Sequence, residues 1–316
     1  MRPVPPTTEA IQEAAALIRA GRLVAFPTET VYGLGANALD AEAVAHIFEA
    51  KGRPSTSPLI VHVSSVAMAR TLALEWPPAA DNLARRFWPG PLTIVVRKQY
   101  VVPDVVTAGL PTVGLRVPDH PVALALLAEC GLPVAAPSAN RFSFLSPTTA
   151  EHVARGLSAR VDLILDGGPA RVGIESTVVS VAGPRPVLLR PGMIGRLDIE
   201  KVTGTLAEAP AAVPGEAHPS PGLTPRHYSP ATRLVVVRDG LPAEGRGAYL
   251  WWHRRLDAAR EVRMPAEPQG YAALMYQVLH EADAEGWDWI AVETPPEMEA
   301  WAPIHDRLRR AATRDG

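Results

Sequence analysis

Between Pro210 and Pro230 the chain carries six prolines and two glycines in 21 residues, with almost no apolar periodicity. Proline fixes φ and removes a backbone donor, so no helix or central strand runs through such a stretch. It reads as an extended connector. At 316 residues the chain is long enough for a folding unit on either side of it. The expected division is 1–205, a linker over 206–230, and a smaller α/β unit over 231–316.

On the N-terminal side, apolar residues recur at helical spacing from Glu9 to Ala20, and Gly21 stops the pattern. Arg22–Phe26 reads as a short buried strand, after which Pro27 begins a polar turn. Asp40 is a natural N-cap for a helix over Ala41–Ala50, which Gly52 and Pro54 terminate. Further strands are expected at Leu59–Val63, Leu92–Arg97, Val113–Val117, Val134–Ala136, Val161–Leu165, Thr177–Val181 and Val187–Leu189. Helices are expected between them at Val66–Leu74, Ala79–Phe87, Val122–Glu129 and Thr149–Gly156. Strands outnumber helices and several are separated by short turns, which predicts a mixed, twisted sheet with helices. Beyond the connector, Arg233–Val237, Gly247–Trp251 and Trp289–Glu293 read as strands, and Tyr271–Glu285 and Glu299–Ala312 as helices.

Several function classes are disfavoured at once. The apolar runs are strand-sized, far short of the roughly 20 residues of a membrane helix, and MRPVPPTTEA lacks the core of a signal peptide. Cys130 is the single cysteine, so an intramolecular disulfide or a cysteine-based zinc site is impossible. A cytoplasmic protein with no membrane partner is expected. Net charge is −2, which argues against broad electrostatic binding of nucleic acid. Phosphate-loop, dinucleotide-fingerprint, zinc-protease and nucleophile-elbow motifs are all missing.

Four polar clusters punctuate the strands. PTETVYGLG (27–35) sets Thr28, Glu29, Thr30 and Tyr32 beside two glycines, either an ordinary turn or a place where backbone passes close to a ligand. In KGRPSTSPLIVHV (51–63), Gly52 lets Lys51 and Arg53 aim at one anion, and a point charge beside a planar fork suits a polyphosphate. Cations there also simply answer a helix dipole. His62, in the same cluster, sits in an apolar strand where a lone histidine is more often a satisfied core residue than a ligand. The third cluster runs from Ala136 through Ser138-x-Asn140 to Ser146-Pro-Thr148, where Ser146 or Thr148 caps a helix or contacts a ligand. The fourth offers Ser176 and Arg190 on neighbouring strands.

Together these segments resemble the YrdC-like threonylcarbamoyl-adenylate synthases in their longer, two-domain form. PTETVYGLG, KGRP…PLIVHV, FWPGPLT, TAGLPTVGLRVPDHP, PSAN…SPTTAEHV, DGGPARVGIESTVV, LRPG and SPGLTPRHYSP occur in the family's order and cover most of residues 21–230. The resemblance implies a YrdC-like catalytic domain followed by a small C-terminal α/β, Rossmann-like domain. It implies that L-threonine, bicarbonate or CO2, and ATP with Mg2+ become threonylcarbamoyl-AMP and pyrophosphate. The product then passes to a tRNA-modifying threonylcarbamoyltransferase that installs t6A on ANN-decoding tRNAs, with at most weak tRNA contact by the synthase. Such chemistry holds an anionic nucleophile in line with a phosphate and needs no protein nucleophile.

By the same resemblance, Lys51 and Arg53 are the rate-sensitive pair of a K-x-R…S-x-N signature that also includes Ser138 and Asn140. Arg53, Ser57, Thr112, Ser138, Asn140, Ser146, Arg190 and Tyr228 are expected at ATP. Thr30, His62, Arg116, Ala136 and Ser176 are expected at threonine, with Arg116 on its carboxylate and Mg2+ carried by the ATP phosphates. The segment Ser220–Pro230 is expected to fold over the site as a lid. One departure is Arg141-Phe142-Ser143-Phe144-Leu145, where members often carry Ser-Gly, which makes the loop bulkier. Two other readings stand beside this one: a double-stranded RNA or tRNA-binding module with no adenylation activity, and a carbamoyl-transfer domain like that of hydrogenase maturation proteins.

Overall fold

The computed structural model describes residues 2–207, 220–221 and 227–312. Most of the proline-rich connector lies outside the described residues. In chain order the first unit comprises α1 (Thr8–Arg19), β1 (Val24–Phe26), β2 (Gly33–Asn37), α2 (Ala41–Lys51), β3 (Ile60–His62), α3 (Val66–Thr71), α4 (Pro78–Phe87), β4 (Leu92–Arg97), α5 (Asp104–Thr107) and β5 (Thr112–Arg116). It continues with α6 (Pro121–Cys130), β6 (Val134–Ala135), α7 (Ala150–Leu157), β7 (Leu163–Ile164), β8 (Thr177–Ser180), β9 (Val187–Arg190) and α8 (Arg196–Thr203). The second unit holds β10 (Arg233–Val237), β11 (Gly247–Trp251), β12 (Arg260–Arg263), α9 (Pro268–Ala284), β13 (Trp289–Glu293) and α10 (Ala302–Ala312).

The first nine strands form one sheet in the order β7-β1-β2-β6-β3-β5-β4-β8-β9. It is mixed as expected: β1–β7, β3–β5 and β4–β8 are parallel, and the other pairs antiparallel. The second sheet, β10-β13-β11-β12, is wholly parallel and carries α9 and α10, an α/β, Rossmann-like arrangement. Local chemistry explains the element ends. Asp40 accepts from the amides of Glu42 and Ala43 to start α2, and Gly52 ends that helix at φ 62°.

Several expectations need correction. The stretch read as a polar turn after Pro27 contains β2, whose glycines and small residues give no β-branched signal. The elements β12, α5 and α8 were not legible from periodicity because each spans only one or two turns or a half-exposed edge. Neither Ser146 nor Thr148 caps α7; Thr149 Oγ1 accepts from the His152 amide at 3.3 Å.

The two units share a core. Val31, Leu145, Ile174 and Tyr228 pack in one buried cluster with Leu234, Tyr271, Tyr276, Trp301 and Ile304. Each large side chain buried there contributes about 1.5–3 kcal/mol. Contact is close enough that Gly173, at φ +79°, admits no side chain: a Cβ would lie 2.3 Å from the Ala272 carbonyl in α9.

Candidate active site

Strand ends of the first sheet converge on a cavity of about 50 Å³. Register explains the convergence. His62 and Arg116 are direct partners on parallel β3 and β5, so their side chains emerge side by side. The turn after β6 pairs Ser138 with Gly33, bringing the third cluster against the first. Ser176 immediately precedes β8 and Arg190 ends β9, an antiparallel pair.

Thr30, Arg53, His62, Arg116, Ala136, Ser138, Ser176, Arg190 and Tyr228 all line this cavity. On one side, Arg116 Nη2 donates to Thr30 Oγ1 at 3.0 Å and lies 2.7 Å from Glu29 Oε1. The Glu29 contact is an ion pair without hydrogen-bond geometry, so neither carboxylate oxygen accepts a hydrogen bond. Opposite, Arg190 Nε and Nη2 donate to the Ser176 carbonyl at 3.1 and 2.9 Å, and Nη1 to the Pro221 carbonyl at 3.2 Å. Thr93 Oγ1 and Ser176 Oγ are 2.8 Å apart. Arg53 Nη2 donates to Ser57 Oγ at 2.5 Å and to the Pro58 carbonyl at 3.0 Å.

Five of the expected residues stand behind this wall. Lys51 Nζ, buried at the end of α2, donates to the carbonyls of Ser138 and Asn140 and so clasps the S-x-N turn. Asn140 Nδ2 closes the following loop on the carbonyls of Arg141 and Phe144 at 2.9 and 2.8 Å. Ser57 backs Arg53, and Thr112 lines a smaller adjoining cavity with Thr93 and Pro221. Ser146 Oγ donates to Glu175 Oε1 at 2.6 Å. Pro221 and His227, from the segment expected over the site, also line the cavity, as does Glu175, which carried no chemical signal in sequence. The departing loop is used: Phe142 packs edge-on to His227, centroids 5.7 Å apart, and under Arg53 at 5.9 Å.

The electrostatics are those of a dry cationic pocket. Burial, with the opposing pulls of Tyr228 and Arg190, pushes Arg53 down to about 10, so the guanidinium remains charged at neutral pH. Burial lowers Arg190 too. Burial and the charge of Arg116 hold His62 well below the usual imidazole range, so its ring is neutral. His227 is held low by burial and by Arg53. Buried side-chain atoms without a hydrogen-bond partner, among the described residues, are Arg53 Nε, His62 Nδ1, His227 Nδ1, Tyr228 Oη and the Glu29 carboxylate. All but Glu29 belong to residues lining the cavity, and Glu29 is paired with a residue that does. Buried polar groups left unpaired in one place mark a site built for a polar ligand.

A family model described as "Telomere recombination" matches residues 16–192, and one described as "Threonylcarbamoyl-AMP synthase, C-terminal domain" matches residues 194–313. The chain is 42% identical to a threonylcarbamoyl-AMP synthase of Pyrococcus abyssi, covering 96% of this chain and 94% of the relative. The chain belongs to the threonylcarbamoyl-AMP synthase family. A threonylcarbamoyl-AMP synthase of Bacillus subtilis is 43% identical, covering 96% of this chain and 92% of that one. A crystal structure of P. abyssi Sua5 complexed with L-threonine superposes with a TM-score of 0.89 at 42% identity, covering 96% of this chain and 94% of that chain. This chain carries both family regions, and no helix among its described residues is long and apolar enough to cross a membrane.

Proposed function

We propose that this synthase condenses L-threonine, bicarbonate or CO2, and ATP into threonylcarbamoyl-AMP, releasing pyrophosphate, as a nucleotidyltransferase of the cytoplasm. The cluster of unpaired buried polar atoms in a cavity with three arginines carries this reading. The threonine nitrogen bonds to the carbon of CO2 and loses a proton, giving a carbamate. A carbamate oxygen then attacks the α-phosphorus of ATP as the bond to pyrophosphate breaks.

Thr30, His62, Arg116, Ala136 and Ser176 form the threonine half, with Arg116 on the carboxylate and neutral His62 able to accept from the hydroxyl or amine. Arg53, Ser138, Arg190 and Tyr228 form the ATP half, supported from behind by Ser57, Asn140 and Ser146, with Thr112 in the adjoining pocket. Lys51 acts on rate through the Ser138–Asn140 turn that it clasps. Mg2+ would be carried on the ATP phosphates.

The catalytic domain spans 1–205, the lid 206–230 and the C-terminal domain 231–316 in this proposal. Most of the lid lies outside the described residues, but Pro221, His227 and Tyr228 fill one side of a cavity too small for a nucleotide. ATP entry therefore requires them to withdraw, and closure over the product shields a labile mixed anhydride from water. The adenylate passes to a tRNA-modifying threonylcarbamoyltransferase for t6A.

The deciding assay is pyrophosphate release with ATP, threonine and bicarbonate omitted in turn. Release that continues without threonine overturns the reading. Retained synthesis after deletion of 210–230 overturns the lid.

A further inference from the structure

The C-terminal unit reaches the wall of the cavity through two side chains that meet on Glu175: Tyr276 of α9, whose Oη donates to Oε2 at 3.4 Å, and Arg307 of α10. Arg307, on α10, is completely buried. Its Nε donates to Glu175 Oε2 at 2.9 Å and its Nη1 to the Pro191 carbonyl at 2.8 Å. Glu175 precedes Ser176 and Pro191 follows Arg190, so one guanidinium ties together the two segments that present those residues. Asp306 Oδ2 accepts from Nη1 at 3.2 Å and supplies a second counter-charge.

The consequences run into the site. Glu175 is the one carboxylate lining the cavity among the described residues, and its other oxygen accepts from Ser146 at 2.6 Å. Tyr228, held at φ 60°, lies with its ring under the Arg307 guanidinium at 5.5 Å. A planar fork can serve an acid, a carbonyl and an aromatic face together; an ammonium cannot.

We propose that Arg307 is a positioning residue for the ATP half of the site, holding Glu175, and through it Ser146, while roofing Tyr228. The C-terminal unit is then part of the adenylation machinery and not an appended module. This rests on the reading of the cavity as the site of adenylation. In the threonine half, Arg116 is anchored by Glu29, away from Arg307, and Ser176, although it follows Glu175, is held independently by Thr93 at 2.8 Å.

The test compares wild type, Arg307→Lys and Arg307→Met in the full chain. Three quantities are read: ATP KM and kcat for pyrophosphate release, the Kd of threonine alone by calorimetry, and Tm. Arg307→Lys keeps the charge and carries the test if Arg307→Met does not fold. The expected result is an ATP KM raised about 10- to 100-fold, the worth of a charge-assisted hydrogen bond. The threonine Kd should stay within about twofold, and adding Glu175→Gln should cost little more, because both changes remove one interaction. Parallel losses in ATP and threonine parameters, or an unchanged ATP KM in Arg307→Lys, overturn the role of Arg307. A wild-type protein that releases no threonine-dependent pyrophosphate overturns the proposed function, and this inference with it.

Discussion

The Lys51 ammonium donates to the Ser138 carbonyl at 2.5 Å, spanning 87 residues of sequence to hold the turn that faces the cavity. Burial, together with the nearby charge of Arg53, lowers the Lys51 pKa, so the structure maintains this contact against a desolvation cost. Lys51→Ala leaves the Ser138 and Asn140 carbonyls without their donor and frees the turn. Threonine-dependent pyrophosphate release should fall about 100-fold, as expected when a contact residue shifts by an ångström. Lys51→Arg should not rescue it, since a planar fork cannot converge on both carbonyls. Activity near wild type in either variant contradicts this role.

Glu29 is almost fully buried against Arg116, which itself lies on Thr30. Glu29→Gln keeps the shape and removes the counter-charge that aims the guanidinium. The threonine KM should rise more than about tenfold while the ATP KM holds, because breaking a buried pair costs about 3–5 kcal/mol and the damage is confined to one half of the site. Steady-state kinetics with each substrate varied in turn decides it; a rise in both constants would place Glu29 in general stability.

Gly173 sits at φ +79° with its missing Cβ 2.3 Å from the Ala272 carbonyl, whereas Gly168 at φ +81° has open space around it. Gly168→Ala should cost about 1–3 kcal/mol from backbone strain alone. Gly173→Ala carries that cost and also pushes α9 off the cavity wall, so its denaturation midpoint should fall further and its activity with it. Equal destabilisation of the two variants in urea would show that close packing between the units contributes nothing.

His152 on α7 and His280 on α9 stack across the same junction, ring centroids 3.9 Å apart. Burial, with the charges of His280 and Arg155, lowers His152 to about 3. Burial, with Arg155 opposed by the Ser146 carbonyl and Asp283, lowers His280 to about 4. Both rings are neutral when folded, while the unfolded chain takes up protons near about pH 6.5. Below that value the unfolded state binds more protons, so stability is full above about 6.5 and falls as pH drops towards 4. His280→Gln should flatten the pH dependence of urea unfolding in this window; an unchanged slope would refute the assignment.

Much of the site was legible because its chemistry is carried by residue types in local patterns. Thr30, His62, Arg116, Ser138, Ser176 and Arg190 each sit where a strand meets a polar, proline- or glycine-containing turn, Arg53 follows the glycine that ends α2, and all of them line one cavity. What the pattern could not distinguish was the direction of a side chain. Lys51 and Ser146 read as ligand contacts, yet their polar atoms are engaged by protein groups about 87 and 29 residues away in sequence. The strand β2 was hidden for a related reason: Gly33 and Gly35 show no strand propensity, but Gly35 is required because a Cβ there would lie 2.8 Å from both Phe26 and Val134.

By itself, the sequence determined the proline-rich stretch over 210–230, the mixed sheet, and the polar clusters that line the cavity. Backbone restriction, apolar periodicity and motif spacing are properties of neighbouring residues, so they survive without a fold. Only the tertiary structure decided that the two parts share a core, and that Arg307 is one of the most deeply buried charges in the protein. In the run Asp306-Arg307-Leu308-Arg309-Arg310 it looks like any solvated helix charge. Its partner, Glu175, lies 132 residues earlier, and a pairing at that distance exists only once long-range burial has removed the water between them.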